Sequence, residues 1–339
     1  MAYKKIKIAN LLSEFAASEN ASDNVAQNAN LRAFKVLMNA LGVSMSEAQR
    51  LIDKGRLFCN GEVVSAKNEI LRGEIELISY ENAPRGQKPI FDNQNFAVFD
   101  KQSGILSHPN GRNCAYSLCD EIWHLYGAQA GVAHRLDRET SGLILVAKDK
   151  KTQTIFKTLF EKRLVKKEYL ALVSGQTPLE FSVNLPMNSA CDEVKTRMRL
   201  CPLSEGGKEA RTEFKRLCYF SEQDLLNLSR EIQLGKGFDF SKGASLLLAR
   251  PLTGRQHQIR LHLFASGFAI LGEPLYGLEK ADIERILDKQ MSAFERVSLT
   301  GATRLCLHSN RLEFEFGGKS YDILSQRDIR AEFLRALSL

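Results

Sequence analysis

Several features are missing from this 339-residue chain, and each absence removes a class of protein. No apolar run approaches the roughly 18 residues that a membrane-spanning helix needs, so no membrane segment is expected. The amino terminus, MAYKKIKIANLLSEF, has neither the apolar core nor the small-residue cleavage site of a secretory signal. Seven cysteines are scattered from Cys59 to Cys306 without one Cys-x-x-Cys pair. That usage fits reduced thiols in a cytoplasmic protein and argues against structural zinc. Six histidines show no His-Glu-x-x-His or similar spacing, so no metal site is expected. The chain has no Gly-x-Gly-x-x-Gly, no P-loop and no repeat of solenoid period, which leaves no nucleotide-cofactor signature.

What is present is positive charge and a large apolar fraction. The formal net charge is +7, which suits a polyanionic partner, and 44% hydrophobic content can fill more than one core. Residues 148–170 carry eight Lys/Arg against three Asp/Glu. Ile155, Phe156, Leu159 and Phe160 form a helical stripe there, which turns the lysines toward solvent. Lys157, Lys162, Lys166 and Lys167 are therefore candidate contacts for the phosphates of a polyanion. Lys195, Arg197 and Arg199 form a second basic cluster with strand-like alternation.

The order of segments implies two domains. Residues 1–30 read as a flexible leader. Residues 31–81 read as a small αβ module: Ser46-Glu47-Ala48-Gln49 has the pattern of a capping box, and Asn60-Gly61 between short apolar strands predicts a hairpin. Residues 82–91, with two prolines and a glycine, read as a linker. From 92 to 339, strands and helices intermix without regular alternation. That pattern predicts an α+β fold with a largely antiparallel mixed sheet and a central cleft.

One stretch carries the strongest chemical signal. In His134-Arg135-Leu136-Asp137-Arg138-Glu139-Thr140-Ser141-Gly142, one carboxylate sits between two arginines, ahead of the apolar run Leu143-Ile144-Leu145-Val146-Ala147. Adjacent positive charge keeps a carboxylate ionised, as nucleophilic or general-base chemistry requires. Tyr169, 32 residues later, opens another apolar strand at Lys167-Glu168-Tyr169. Arg260, 123 residues after Asp137, stands in the first turn of a helix following Thr253-Gly254-Arg255-Gln256-His257-Gln258. Thr253 and Gln256 have capping-box spacing for that helix.

HRLDRETSG, the KEY strand entrance and TGRQHQIRLH, in this order, resemble the RluA-type pseudouridine synthases. Weaker matches are DKQSGILSHPNG, LGEPLYG and LCLHSNRLEF. The resemblance implies a catalytic nucleophile at Asp137 and an aromatic stack on the target uracil at Tyr169. It implies that Arg260 pairs with Asp137 and that Arg135 enters the base stack where the uridine left. It also implies isomerisation of uridine to pseudouridine without a cofactor. Glu273 stands where the family has Asp, and Gln102 where it has Pro; neither is expected to touch the chemistry. Residues 31–81 resemble an S-four-type RNA-binding domain. The expected partner is ribosomal RNA, with 23S favoured and transfer RNA as the alternative, and the expected state is a monomer. A non-catalytic RNA-binding ribosome assembly factor would leave the three ordered motifs unexplained. A glycosidase would want a second acid beside Asp137, and none stands out.

Overall fold

The computed structural model describes residues 3–8, 32–80, 82–109, 114–190, 194, 197–229 and 238–338. These fall into two units, 1–84 with 109–116, and 85–108 with 117–339. Among the described residues no helix is long and apolar enough to cross a membrane.

The smaller unit is a four-stranded antiparallel sheet, in the order β1-β4-β2-β3, accompanied by two helices. Its strands are β1 (Tyr3–Lys7), β2 (Leu57–Cys59), β3 (Glu62–Val63) and β4 (Ile75–Tyr80). Part of the expected leader is thus a strand. Lys5, Ile6, Lys7 and Ile8 alternate polar with apolar, and β1 pairs along β4 from Tyr3↔Tyr80 to Lys7↔Glu76. The remainder of 1–30 lies outside the described residues. Asn60 (φ 52°) and Gly61 (φ 84°) make the expected tight turn between β2 and β3. Helix Ala33–Leu41 buries Phe34, Val36 and Leu37, and helix Met45–Asp53 buries Ala48 and Ile52 against Leu57 and Leu77. The capping box starts two residues earlier than expected, at Ser44 instead of Ser46. Ser44 caps, its side chain accepting from the Glu47 backbone N–H, and Glu47 reaches back to the Ser44 N–H.

The larger unit is organised by an apolar strand with no wet face. Its strands are β5 (Phe91–Asp92), β6 (Phe96–Lys101), β7 (Gly131–Val132), β8 (Ser141–Ala147), β9 (Lys166–Ser174), β10 (Glu180–Asn184), β11 (Met187–Ser189), β12 (Met198–Leu200), β13 (Arg211–Phe220), β14 (Ala244–Pro251), β15 (Leu307–Phe316) and β16 (Lys319–Leu324). A ten-stranded sheet runs β10-β13-β14-β9-β15-β8-β6-β5, with β16 paired to β15 and β7 to β8. Every pair is antiparallel except β8 with β15. Successive residues of β8 point to opposite cores, which is why the run cannot alternate with polar residues. Leu143, Leu145 and Ala147 join Phe96, Phe156 and Phe314 on one face. Ile144 and Val146 join Phe99, Ala171 and Leu247 on the other.

The linker is shorter than its composition suggested. Buried Glu121 accepts from the backbone N–H groups of Arg85 and Gly86, and Ile90 bonds to Val98, so residues from Arg85 onward belong to the larger unit. The basic helix, Lys150–Glu161, buries Phe156, but Ile155 is 39% exposed and does not join the stripe. Lys195 lies outside the described residues; Arg199 stands on the short strand β12.

Gly142 is fixed by close approach. Its φ is +109°, and a Cβ there would lie 2.3 Å from the Ser309 carbonyl oxygen on β15. Gly142→Ala is expected to lose about 2–4 kcal/mol of stability. Urea unfolding should show a lower midpoint at unchanged slope; an unchanged midpoint would mean that β8 and β15 are not this close.

Candidate active site

Two loops from distant parts of the chain are laced together beneath Asp137. Ser107 donates through Oγ to the Leu136 carbonyl (2.8 Å) and accepts from the Leu136 N–H (3.2 Å). Ser103 donates to the Glu139 carbonyl (2.6 Å), and the Gly104 N–H to the Arg138 carbonyl (2.8 Å). Lys101, fully buried, spends its three ammonium protons on the carbonyls of Gln102, Ile105 and Arg138. Burial, against the pull of Glu139 and Asp137, pushes the Lys101 amine down to about 7. Backbone on both sides of Asp137 is therefore held, as pre-organised chemistry needs.

Helix Gln258–Ala265 brings the opposing charge. Its entry differs from the expected capping box: Thr253 donates to the Gln258 side-chain oxygen (2.6 Å), and the Arg255 N–H bonds to the same oxygen (3.0 Å). His257, at the cap, has the left-handed φ of 55°, a strained position of the kind that clusters at functional sites. Arg260 sits in the first turn as expected, only 3% exposed. Its Nη1 donates to Asp137 Oδ2 at 2.9 Å, its Nε to Glu273 Oε2 at 2.8 Å and its Nη2 to Glu273 Oε1 at 2.5 Å. Glu273, 4% exposed, also accepts from the Leu275 N–H. The expectation that this position stands apart from the chemistry is overturned: the Glu side chain reaches the guanidinium and holds it in a two-pronged grip.

The electrostatics follow from this geometry. Burial opposes ionisation of Asp137, but His257 (where it is protonated), the permanently cationic Arg260 and Lys101 outweigh it and hold the carboxyl below its ordinary range. Burial likewise opposes charge on Arg260, and Glu273 and Asp137 more than compensate, so the guanidinium stays cationic. His257 is pushed down to about 4 by burial and by Arg260, so it is neutral at neutral pH. Its Nε2 lies 3.6 Å from Asp137 Oδ2 and its Nδ1 3.2 Å from the Tyr276 hydroxyl, which accepts from the Met198 N–H. In the tautomer that satisfies these groups, Tyr276 donates to Nδ1 and the Nε2 proton faces Asp137.

These groups open into a cleft of about 1030 Å³. Asp137 is 27% exposed to it, and Arg135 lines it as an exposed side chain. Tyr169 lines it too, but as the fourth residue of β9 and only 9% exposed, deeper than a strand entrance. Burial raises its phenol to about 12. Of the four candidate lysines, Lys166 and Lys167 line the cleft; Lys157 and Lys162, on the helix and at its end, do not. Lys101, His257 and Tyr276 were not singled out from sequence, and Glu273 was noted only as a departure from the family pattern. All four fall inside the recognised segments, so motif membership was the available signal. Among the described residues, no group of three or more His, Cys, Asp or Glu could hold a metal ion.

Comparison with known proteins agrees with the fold and the motifs. The profile described as RNA pseudouridylate synthase matches residues 95–265, and that of the S4 domain matches 31–75. The chain is 35% identical over 297 residues to an uncharacterized RNA pseudouridine synthase of Helicobacter pylori strain J99, spanning 87% of this chain and 91% of that one. It is 31% identical over 200 residues to the ribosomal large subunit pseudouridine synthase D of Nitrosomonas europaea, spanning 58% of this chain and 51% of the relative. The solved human RNA pseudouridylate synthase domain containing 4 superposes with a TM-score of 0.51 at 20% identity, over 74% of this chain and 92% of that one, a likeness of fold. The chain belongs to the RNA pseudouridylate synthase family, and it is an RNA-modifying isomerase with an S-four-type domain ahead of the catalytic one.

Replacing Glu273 with Gln removes one of the two charges that neutralise buried Arg260. Breaking a buried pair this way costs about 3–5 kcal/mol. Thermal and urea unfolding of Glu273→Gln should show that loss; a change under about 1 kcal/mol, the size of an exposed pair, would mean that Arg260 is not desolvated.

Proposed function

We propose that the protein isomerises uridines in ribosomal RNA, as a cytoplasmic monomer, with Asp137 as the catalytic nucleophile. The observation that carries the reading is the Asp137 carboxylate, ionised and aimed into the cleft by a guanidinium that Glu273 in turn holds. The ribosomal target is supported by the N. europaea relative and by the S4 domain match. The cytoplasmic setting is supported by six free thiols among the described cysteines. The single chain supplies every residue of the site, so no second copy is needed.

A uridine inside a helix must leave its stack to reach Asp137, at a loss of a few kcal/mol. In this reading Tyr169 stacks on the extruded uracil, worth about 1–3 kcal/mol, and exposed Arg135 enters the vacated space. Asp137 adds to the nucleotide, the N-glycosidic bond breaks, the uracil turns, and carbon 5 rejoins the sugar; the bond to Asp137 breaks again, the proton on carbon 5 leaves, and N1, freed from the sugar, gains one. The atoms of the product are those of the substrate. The pyrimidine ring and the sugar carbon are both electrophiles within the logic of this site, and in either case the carboxylate must be unprotonated and freed to attack. Arg260 keeps it so, while His257, neutral, adds a donor without a competing charge.

Asp137→Asn keeps the shape of the side chain and removes its charge. Incubated with ribosomal and transfer RNA, the wild-type chain should form pseudouridine in ribosomal RNA, and Asp137→Asn should form none while still binding. Turnover by Asp137→Asn would remove Asp137 from the chemistry, and modification of transfer RNA alone would move the target.

A further inference from the structure

The cleft holds eight cationic side chains against four carboxylates, yet most of the cations are already engaged by protein. Lys166 pairs with Glu313 at 2.6 Å. Arg311 grips Asp322 with Nε and Nη2 at 2.6 and 2.7 Å. Arg260 belongs to Asp137 and Glu273. Arg250, 52% exposed at the rim, sets both Nε and Nη2 on Glu168, at 2.8 and 2.7 Å. Glu168 is only 16% exposed and faces Arg311 from the other side, at 3.7 Å. Sheet register fixes this arrangement, because Glu168 lies opposite Arg311 and Ala249 opposite Tyr169, one residue from Arg250. No other carboxylate pairs with Arg250 among the described residues.

Lys167 is the contrast. It stands two residues before Tyr169 on β9, on the same face and about 6.6 Å along the strand. It is half-buried, lines the cleft, and has no carboxylate partner among the described residues. Its amine rests against Gly254, where an added Cβ would lie 3.5 Å from Nζ. A partly desolvated cation without a counter-charge is unfavourable until an anion arrives. With Arg250 half in solvent, its pair with Glu168 is partly screened and contributes modestly to stability, so its value is better sought in what it prevents.

We propose that Glu168 is a specificity-determining residue: it withholds Arg250 from nucleic-acid phosphates and leaves Lys167 as the open phosphate seat beside Tyr169. A polynucleotide of any sequence could pair with a free Arg250. With Glu168 in place, that contact requires displacing a carboxylate. Lys167, two residues along the strand from Tyr169, is instead placed for the backbone of a nucleotide whose base has reached the aromatic ring. The inference rests on the RNA substrate proposed above.

The test uses the full chain with oligoadenylate, which offers phosphates but no uridine, and oligouridylate. Each freed or lost phosphate contact on a single strand changes the log-log salt slope by about 0.7. Glu168→Gln should bind oligoadenylate more tightly than wild type, with a slope steeper by that amount, and Glu168→Asp should restore wild-type behaviour. Lys167→Met should flatten the slope by a similar amount, with recovery in Lys167→Arg. Circular dichroism verifies folding of each. A Glu168→Gln slope equal to or shallower than wild type overturns the proposal, as does a Lys167→Met slope equal to wild type. Pseudouridine formation by the wild-type chain is scored separately, so failure of the functional reading would appear there and not in the slopes.

Discussion

A single guanidinium shared by two carboxylates is the constraint on which the site depends. Arg260 is almost wholly buried, and a buried charge persists only when it is paired and hydrogen-bonded. Glu273 takes the Nε and Nη2 edge and leaves Nη1 for Asp137. The reactive carboxylate therefore accepts one donor from a cation that cannot turn away from it. The rest of the larger unit meets the demands of that contact: helix Gln258–Ala265 presents Arg260 in its first turn, and the loops around Lys101 and Ser107 hold the backbone beside Asp137.

The sheet explains why the loop can be held so firmly. Strand β8 follows the Asp137 loop directly and is buried on both faces, so the loop is anchored in the least yielding part of the molecule. Gly142 permits β15 to approach, and β15 then carries a register shift between Ser309 and Arg311, opposite Tyr169 and Glu168. A bulge at this point re-aims side chains next to a cleft, a common use of such irregularities. Burial of Tyr169, higher than a strand entrance would give, follows from β9 being flanked by β14 and β15.

Much of this was legible in the residues. The two-sided apolar run of β8, the Asn60-Gly61 hairpin and the first-turn position of Arg260 each follow from local pattern, and the structure has them. What was not legible depends on tertiary partners. Glu273 gives no local sign that its side chain will reach a helix 13 residues earlier in the chain. The strand at Tyr3–Lys7 needed β4 as a neighbour before its short alternation meant anything. The cap of helix Gln258–Ala265 was misplaced because Thr253 and Gln258 bond each other across a strained His257, which no spacing rule anticipates. The partners within the basic stretch were also not legible: Lys166 and Lys157 look free in sequence, but β15 brings Glu313 to one and the helix brings Glu161 within 3.8 Å of the other.

The central claim is that Asp137 stays ionised through Arg260. Carboxyl carbon NMR titration of Asp137, in the full chain and in Arg260→Met, measures this directly. Stability from a depressed carboxyl is present above the unfolded value and lost as pH falls through the folded one. A wild-type midpoint below about 3.9, the ordinary aspartate value, is expected, with a rise above it in Arg260→Met, where burial acts without the permanently charged group that offsets it. A wild-type midpoint at or above the ordinary value, or one that Arg260→Met leaves in place, would contradict it.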